Sequence, residues 1–231
     1  EVVDSPWGLR DPLGARIQLD RLEAETLDAI QHGSSPNVVV HGFARAARRC
    51  GIGRDLVQPF FASMRADLQI HDHDSSSLER YVYGSAEVVG LMCLRAFLAD
   101  EPDAERRYVE LAPGARRLGA AFQKVNFVRD LAADEQLRGR RYLPGLARPL
   151  TEADKLGFLD DVQRDLDAAA PAIAQLPRGS RRGVLLATRV FGELARRLRV
   201  TPVSEIRDGR VRVPDVVKAR IAVSTICRSL R

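Results

Sequence analysis

Two aspartates lie four residues apart, at Asp130 and Asp134. They continue a series of polar residues, spaced three or four apart, that begins at Gln123. If this stretch is a helix, all four polar side chains, the fourth being Asn126, fall within an arc of about 80°. The residues around them are apolar, so we expect a mostly buried helix with one polar groove. Burying two carboxylates is costly unless something positive lies between them. Mg²⁺ prefers carboxylate oxygens and commonly bridges them to substrate phosphates, so the stripe predicts a magnesium and phosphate site.

Two other interpretations of the aspartates stay open. They could form a solvated acidic face near a helix end, although aspartate there opposes the helix dipole. They could instead pair with the arginines that follow, Arg138, Arg140 and Arg141. Those arginines also suit a diphosphate, whose charge metal alone does not neutralise.

The elements that must position these residues are helices. Strand-like alternation is poor and aromatic residues are only 6%, so we predict an all-α chain of one domain, without repeats or an interdomain linker. Gly33, the Ser34–Asn37 break, Gly51 and Thr151 supply start and stop signals. Helices are predicted at 15–33, 38–50, 56–66, 78–98, 114–133, 151–174, 183–199 and 214–230, with a loop at 135–149.

Charge and composition exclude several classes of protein. The net charge of +5 and a pI near 9.5 raise the hypothesis that the protein binds nucleic acid. The arginines are dispersed and the aromatic residues are few, so nucleic-acid binding is not predicted. The scattered Cys50, Cys93 and Cys227 argue against disulfides and zinc and favour a reducing, cytoplasmic location. The longest apolar run, Val88–Leu94, is too short to span a membrane. The histidines, His32, His41, His71 and His73, are expected in solvated positions.

Three runs of residues follow spaced sequence patterns. Leu118–Pro144 fits L-G-x-A-x-Q-x-x-N-x-x-R-D-x-x-x-D followed by G-R-x-Y-x-P. Residues 64–68 read M-x-x-D-L, and residues 81–92 are similar to Y-C-Y-x-V-A-x-x-V-G-x-M. Together these runs resemble the squalene/phytoene synthase family of head-to-head prenyltransferases. The chain departs from that family by Ser63 where glycine is usual and by about one extra residue in the loop after Asp134, and 150–231 match only in helical character.

The resemblance implies a single-domain isoprenoid-synthase helical bundle around a central active-site cavity. It implies that Asp130 and Asp134 bind Mg²⁺ or Mn²⁺, and that Tyr81 acts with them in catalysis. Tyr81, Ser85, Val88 and Met92 share one predicted helix stripe, which would form the apolar wall. The residues expected to bind substrate are Gln123, Asn126, Arg129, Arg140, Tyr142, Tyr81, Ser85, Val88 and Met92.

The first residues resemble a severed copy of the family's other metal motif. Glu1-Val2-Val3-Asp4 looks like D-D-x-x-D or D-E-x-x-D without its leading aspartate, so Glu1 and Asp4 are predicted metal ligands. We therefore interpret 1–231 as one synthase domain that lacks its N-terminal helices.

The resemblance is strongest to bacterial phytoene synthases. It implies Mg²⁺-dependent condensation of two geranylgeranyl diphosphates through a cyclopropyl diphosphate to phytoene, without NADPH. Prenyl diphosphates are then the partners, with peripheral membrane contact as a secondary expectation. The alternatives are a farnesyl diphosphate-using squalene, hydroxysqualene or dehydrosqualene synthase, and a non-catalytic assembly protein of the same fold, against which the intact Asp130 and Asp134 argue.

Overall fold

The structure is a computed structural model that describes residues 3, 8, 10–70, 72–137, 140, 142 and 150–229. Within these residues there is no β-strand, as the sequence predicts. The helices are α1 (Pro12–His32), α2 (Val38–Cys50), α3 (Arg54–Ala66), α4 (Ser75–Val82), α5 (Val88–Leu98), α6 (Ala104–Arg129), α7 (Leu131–Leu137), α8 (Glu152–Ala174), α9 (Arg178–Val200), α10 (Val203–Asp208) and α11 (Asp215–Ser229).

Local capping signals place several helix ends where the sequence predicts them. Asn37 begins α2, because its side-chain oxygen accepts hydrogen bonds from the backbone N–H groups of Val39 and Val40 at 3.1 and 3.4 Å. Gly51 ends α2 in the left-handed region, with φ of 70°. Thr151 and Asp154 form the capping box that begins α8.

Other predicted boundaries were wrong. The long helix α6 begins at Ala104 rather than near Gly114, so Pro113 lies inside it. The basic segment after Pro177 is already the first turn of α9, and residues 135–137, predicted as the start of a loop, lie in α7. Asp74, not a serine, caps α4 by accepting a hydrogen bond from the Ser77 N–H at 2.7 Å.

A π-helical turn, Tyr83–Glu87, joins α4 to α5 where an uninterrupted α-helix was predicted. Such a turn holds one extra residue, which rotates the following side chains by roughly 100°. The end of α4, just before the turn, is tied to α3, since Ser63 Oγ donates a hydrogen bond to the Tyr81 carbonyl at 3.0 Å. A Cβ on Gly84 would lie 2.1 Å from the Pro59 carbonyl oxygen, so only glycine allows this approach.

Helix α6 is the centre of the bundle and packs against α5, the π turn, α8 and α9. Two glycines bring its backbone against the π turn and α5. A Cβ on Gly119 would lie 2.4 Å from the Ala86 carbonyl oxygen, and one on Gly90 would lie 2.5 Å from the Ala115 carbonyl oxygen. The two helical segments are therefore in backbone contact beside the cavity described below.

We expect Gly119→Ala to destabilise the fold by about 1–3 kcal/mol, because the added methyl meets backbone that cannot move aside cheaply. Gly157→Ala is the matched control, since Gly157 also lies inside a helix but has open space around its Cα. Urea unfolding of both variants measures the difference, and equal midpoints would contradict the close contact.

One helical segment of the described chain, Ser75–Leu98, is long and apolar enough to cross a membrane by length and composition alone. The core helix of a soluble protein meets the same test, and this segment packs against α3 and α6.

Candidate functional site

An apolar cavity of about 360 Å³ lies between α5, α6, α8 and α9. Its lining runs along α6 from Leu111 to Asn126, a distance of about 22 Å at 1.5 Å per residue. Most of the remaining wall comes from the π turn and α5 (Ser85, Val89, Cys93 and Phe97), from α8 and the residues just after it (Ala172, Ile173 and Leu176), and from α9 (Val184, Ala187 and Phe191). The cavity is thus an elongated, mostly hydrophobic groove.

Polar side chains gather at the Asn126 end of this cavity. Gln123 and Asn126, two of the predicted substrate-binding residues, both line it, and so does Ser85. Asn126 Oδ1 and Ser85 Oγ are buried polar atoms without a hydrogen-bond partner in the part of the chain that the structure describes. Buried polar atoms are normally paired, so these two point to a ligand or water that the cavity takes up.

The predicted carboxylates continue the polar stripe beyond this end of the cavity. Helix α6 ends at Arg129 and α7 begins at Leu131, so the single helix predicted through 133 is interrupted at Asp130. Helical hydrogen bonds still bridge the break, from Asp130 N–H to the Asn126 carbonyl at 2.8 Å and from Asp134 N–H to the Asp130 carbonyl at 2.9 Å. Asn126, Asp130 and Asp134 therefore follow one another at successive turns.

Two arginines hold the Asp130 carboxylate. Arg129 Nε donates to Asp130 Oδ1 at 2.9 Å, and its Nη2 donates to Oδ2. Arg210, from the segment between α10 and α11, places its Nε 2.7 Å from Oδ1 and its Nη2 3.3 Å from Oδ2. Sequence reasoning missed Arg210, because nothing local links it to Asp130 eighty residues earlier.

The stripe fits a hard divalent cation in the chemistry of its donors. Asn126, Asp130 and Asp134 offer only oxygen ligands, and the unpartnered Asn126 Oδ1 is an available one. Among the described residues no three histidine, cysteine or acidic side chains converge on a metal position. The other predicted ligands, Glu1 and Asp4, lie outside the described residues, as do Arg138 and Arg141.

A second polar cluster, which we call the Asp67 cluster, comprises Asp67, Tyr81, Arg140, Tyr142 and His73. The Tyr142 hydroxyl donates to Asp67 Oδ1 at 2.8 Å and the Tyr81 hydroxyl donates to Oδ2 at 3.1 Å. Arg140 Nη1 lies 3.8 Å from Asp67 Oδ1, and its side chain is only 3% exposed. Arg140 therefore faces a buried carboxylate at the end of α3, while its backbone N–H donates to the Asp134 carbonyl at 2.8 Å.

Both tyrosines of the Asp67 cluster are held as neutral hydrogen-bond donors. Burial first, and then the Asp67 charge, raise the pKa of Tyr81 and of Tyr142 well above the ordinary value. Phe127, next to Asn126 on α6, stacks on Tyr142 with ring centroids 4.5 Å apart. The cluster thus braces the α6 turn that carries Asn126. Asp67 had no predicted role, although it stands in the M-x-x-D-L match.

His73 was expected in a solvated loop, and this was wrong, because its residue is 5% exposed. Its ring stacks on Tyr142 at 5.5 Å and lies 5.2 Å from the Tyr81 ring. Its Nδ1 lies 3.2 Å from Ser77 Oγ, and within the described ranges its Nε2 is buried without a partner. Burial lowers the pKa of His73, so the folded protein holds it neutral.

We expect acid to destabilise the protein partly through His73. The pKa of His73 is lower in the folded protein than in the unfolded chain. As pH falls below about 6.5, the unfolded chain therefore binds a proton before the folded protein does, and the folded state loses stability in that pH range. His73→Phe keeps a stacking ring and should flatten the fall in unfolding midpoint between pH 7.5 and 5.5. His32→Phe is the control, since His32 is exposed; equal slopes in wild type and His73→Phe would contradict the assignment.

The predicted stripe along the Tyr81 helix is divided among three places. Ser85 lines the cavity, Tyr81 lies in the Asp67 cluster, and Val88 and Met92 pack against α3 in another part of the core. The prediction that Val88 and Met92 line the cavity was therefore wrong, and the π turn is the reason. Val89 and Cys93 take their places in the wall.

Comparison with known proteins agrees with these features. Residues 1–146 match the family described as squalene/phytoene synthase. The chain is 31% identical over 139 residues to a bifunctional lycopene cyclase/phytoene synthase of Blakeslea trispora, covering 52% of this chain and 22% of that protein. It is 29% identical over 188 residues to the Neurospora crassa protein of the same description, and the match covers 71% of this chain and 30% of that protein. The chain thus spans less than a third of these relatives' length.

A solved structure shares the fold. The squalene synthase HpnC from Alicyclobacillus acidocaldarius superposes with a TM-score of 0.69 at 21% identity, covering 81% of this chain and 76% of that one. The chain therefore has the helical fold seen in that synthase. It belongs to the squalene/phytoene synthase family, whose members are prenyltransferases.

Proposed function

We propose that this protein joins two geranylgeranyl diphosphates head to head to form phytoene, through a cyclopropyl diphosphate. The observation that carries the proposal is one long apolar cavity that ends in a stripe of oxygen-bearing side chains. Such a shape suits a molecule with a hydrocarbon chain and an anionic head. The family membership and the relatives described as phytoene synthases support the same reaction.

The reaction needs an apolar cavity lining that excludes water and charged groups at one end of the cavity. In its first stage the C1–O bond of one substrate breaks, pyrophosphate leaves, and the double bond of the second substrate attacks C1; loss of a proton closes the cyclopropane ring. In the second stage the remaining C–O bond breaks, the ring rearranges, and loss of a second proton forms the new double bond. Each stage passes through a carbocation that water would quench. The apolar residues along α5, α6 and α9 exclude water from the cavity.

We assign the polar residues as follows. Asn126, Asp130 and Asp134 hold Mg²⁺ or Mn²⁺, which when bound stabilises the leaving pyrophosphate. Arg129, beside Asp130, contacts the diphosphate, and Gln123 orients it from the cavity wall. Tyr81, Arg140 and Tyr142, which were predicted to touch substrate, act through the Asp67 cluster by holding the α6 turn in place.

The length of the cavity supports the longer substrate. Leu111, Leu176 and Phe97 lie at the end opposite Asn126, about 22 Å away along α6. We also propose that the protein works in the cytoplasm, meeting its apolar substrates at a membrane surface, without NADPH and without nucleic acid.

Product analysis tests the proposed function. Purified protein with Mg²⁺ is given geranylgeranyl diphosphate or farnesyl diphosphate, each without NADPH, and the extracted products are identified by mass spectrometry. We expect phytoene from the first and a slower reaction with the second. A thirty-carbon product from farnesyl diphosphate with none from geranylgeranyl diphosphate would overturn the phytoene assignment in favour of the farnesyl-using synthases.

A further inference from the structure

Arg210 occupies the carboxylate that the proposed metal site needs. Both oxygens of Asp130 already accept hydrogen bonds, from Arg129 and from Arg210. With the Arg210 Nε contact at 2.7 Å, these groups take up about as many positions as a carboxylate can offer, so a cation that binds Asp130 competes with the two guanidinium groups. Which one leaves decides how metal binding is coupled to the rest of the fold.

The two arginines differ in how firmly they are held. Arg129 is the immediate neighbour of Asp130, and its side chain is 20% exposed. Arg210 reaches in from the segment between α10 and α11, and its side chain is 51% exposed. Arg210 is thus the partner that solvent and a competing ion can replace at lower cost.

The segment that carries Arg210 is anchored on both sides, which keeps the guanidinium close to Asp130. Ile206 and Val213 are buried in the core cluster that includes Leu131 of α7. Arg207 Nη2, in α10, lies 3.7 Å from a Glu135 oxygen, so the helix just before this segment contacts α7. An arginine released from Asp130 stays beside the site instead of leaving it.

We propose that Arg210 is an electrostatic latch that covers Asp130 when no metal is bound and competes with the divalent cation for that carboxylate. The proposal rests on the proposed function, since it takes Asp130 as a metal ligand. Because Arg210 competes for Asp130, the substrate-free protein binds the cation more weakly than its oxygen ligands alone would. The latch also gives Arg210 a free guanidinium beside the site once a cation and its bound anion arrive.

Direct Mn²⁺ binding, followed by electron paramagnetic resonance of free Mn²⁺ and without any substrate, tests the latch. We expect Arg210→Gln to bind Mn²⁺ about fivefold more tightly than wild type, since a half-exposed ion pair is worth at most about that factor. Arg212→Gln is the matched control, because it removes the same charge from an exposed position two residues along the same segment. We expect Arg212→Gln to change the Mn²⁺ affinity by less than about half of the Arg210→Gln effect.

The same titration in an Asp130→Asn background separates the latch from the metal site. If the latch acts on Asp130, Arg210→Gln should have no further effect there, as in a double-mutant cycle. If Asp130→Asn weakens Mn²⁺ binding but Arg210→Gln behaves like Arg212→Gln, the latch is wrong and the proposed metal role stands. If Asp130→Asn leaves Mn²⁺ binding unchanged, the proposed metal role fails and the latch fails with it.

Discussion

Asp130→Asn should lower the rate of product formation by at least about 100-fold, because the amide cannot supply the charged oxygen that holds the cation at the leaving group. The change conserves size, and Asp130 is partly exposed, so the fold should be kept. Steady-state turnover with saturating Mg²⁺ and prenyl diphosphate measures the loss, with circular dichroism as the check on folding.

Asp167→Asn is the control for this prediction, because it makes the same chemical change on the exposed face of α8. Its turnover should match the wild type. If Asp130→Asn retained turnover within a few-fold of that control, Asp130 would have no role in binding the catalytic cation.

The second large effect is on stability and concerns the Asp67 cluster. Asp67→Leu removes the carboxylate that Tyr81, Tyr142 and Arg140 share in the interior. Breaking a buried charge pair on one side costs about 3–5 kcal/mol. For a chain of this size that lowers the thermal midpoint by about 10 °C.

Two milder variants show whether charge or shape causes the loss. Tyr142→Phe removes one hydrogen bond to Asp67 and should cost about 1 kcal/mol. Asp67→Asn keeps the shape but loses the charge, so it should fall between the two. Thermal unfolding of all three measures the order, and an Asp67→Leu midpoint equal to that of Tyr142→Phe would contradict the buried ion pair.

The features that sequence predicts well in this protein depend on neighbours along the chain. Asn37, Gly51 and Thr151 fix helix ends through bonds to residues two to four positions away. The 3.6-residue period of α6 likewise places Gln123 and Asn126 on one face, and both line the cavity. These inferences need no knowledge of the tertiary structure.

The features that sequence reasoning missed depend on contacts between distant segments. The π turn packs closely on α3 through Gly84, and its extra residue moves Val88 and Met92 out of the cavity wall. His73 is buried because Tyr142, far along the chain, covers its ring. Arg210 reaches Asp130 across eighty residues. A pattern read along the chain carries no signal for any of these contacts.

The central claim is that the Asn126–Asp134 stripe holds the metal and diphosphate while the cavity beside it holds the prenyl chain. A crystal structure with Mn²⁺ and the unreactive geranylgeranyl thiolodiphosphate tests this directly, since Mn²⁺ gives an anomalous signal. We expect anomalous peaks at Asp130 and Asp134 and hydrocarbon density along Val89 and Cys93. Manganese peaks away from both aspartates, or a chain bound outside this cavity, would contradict the account.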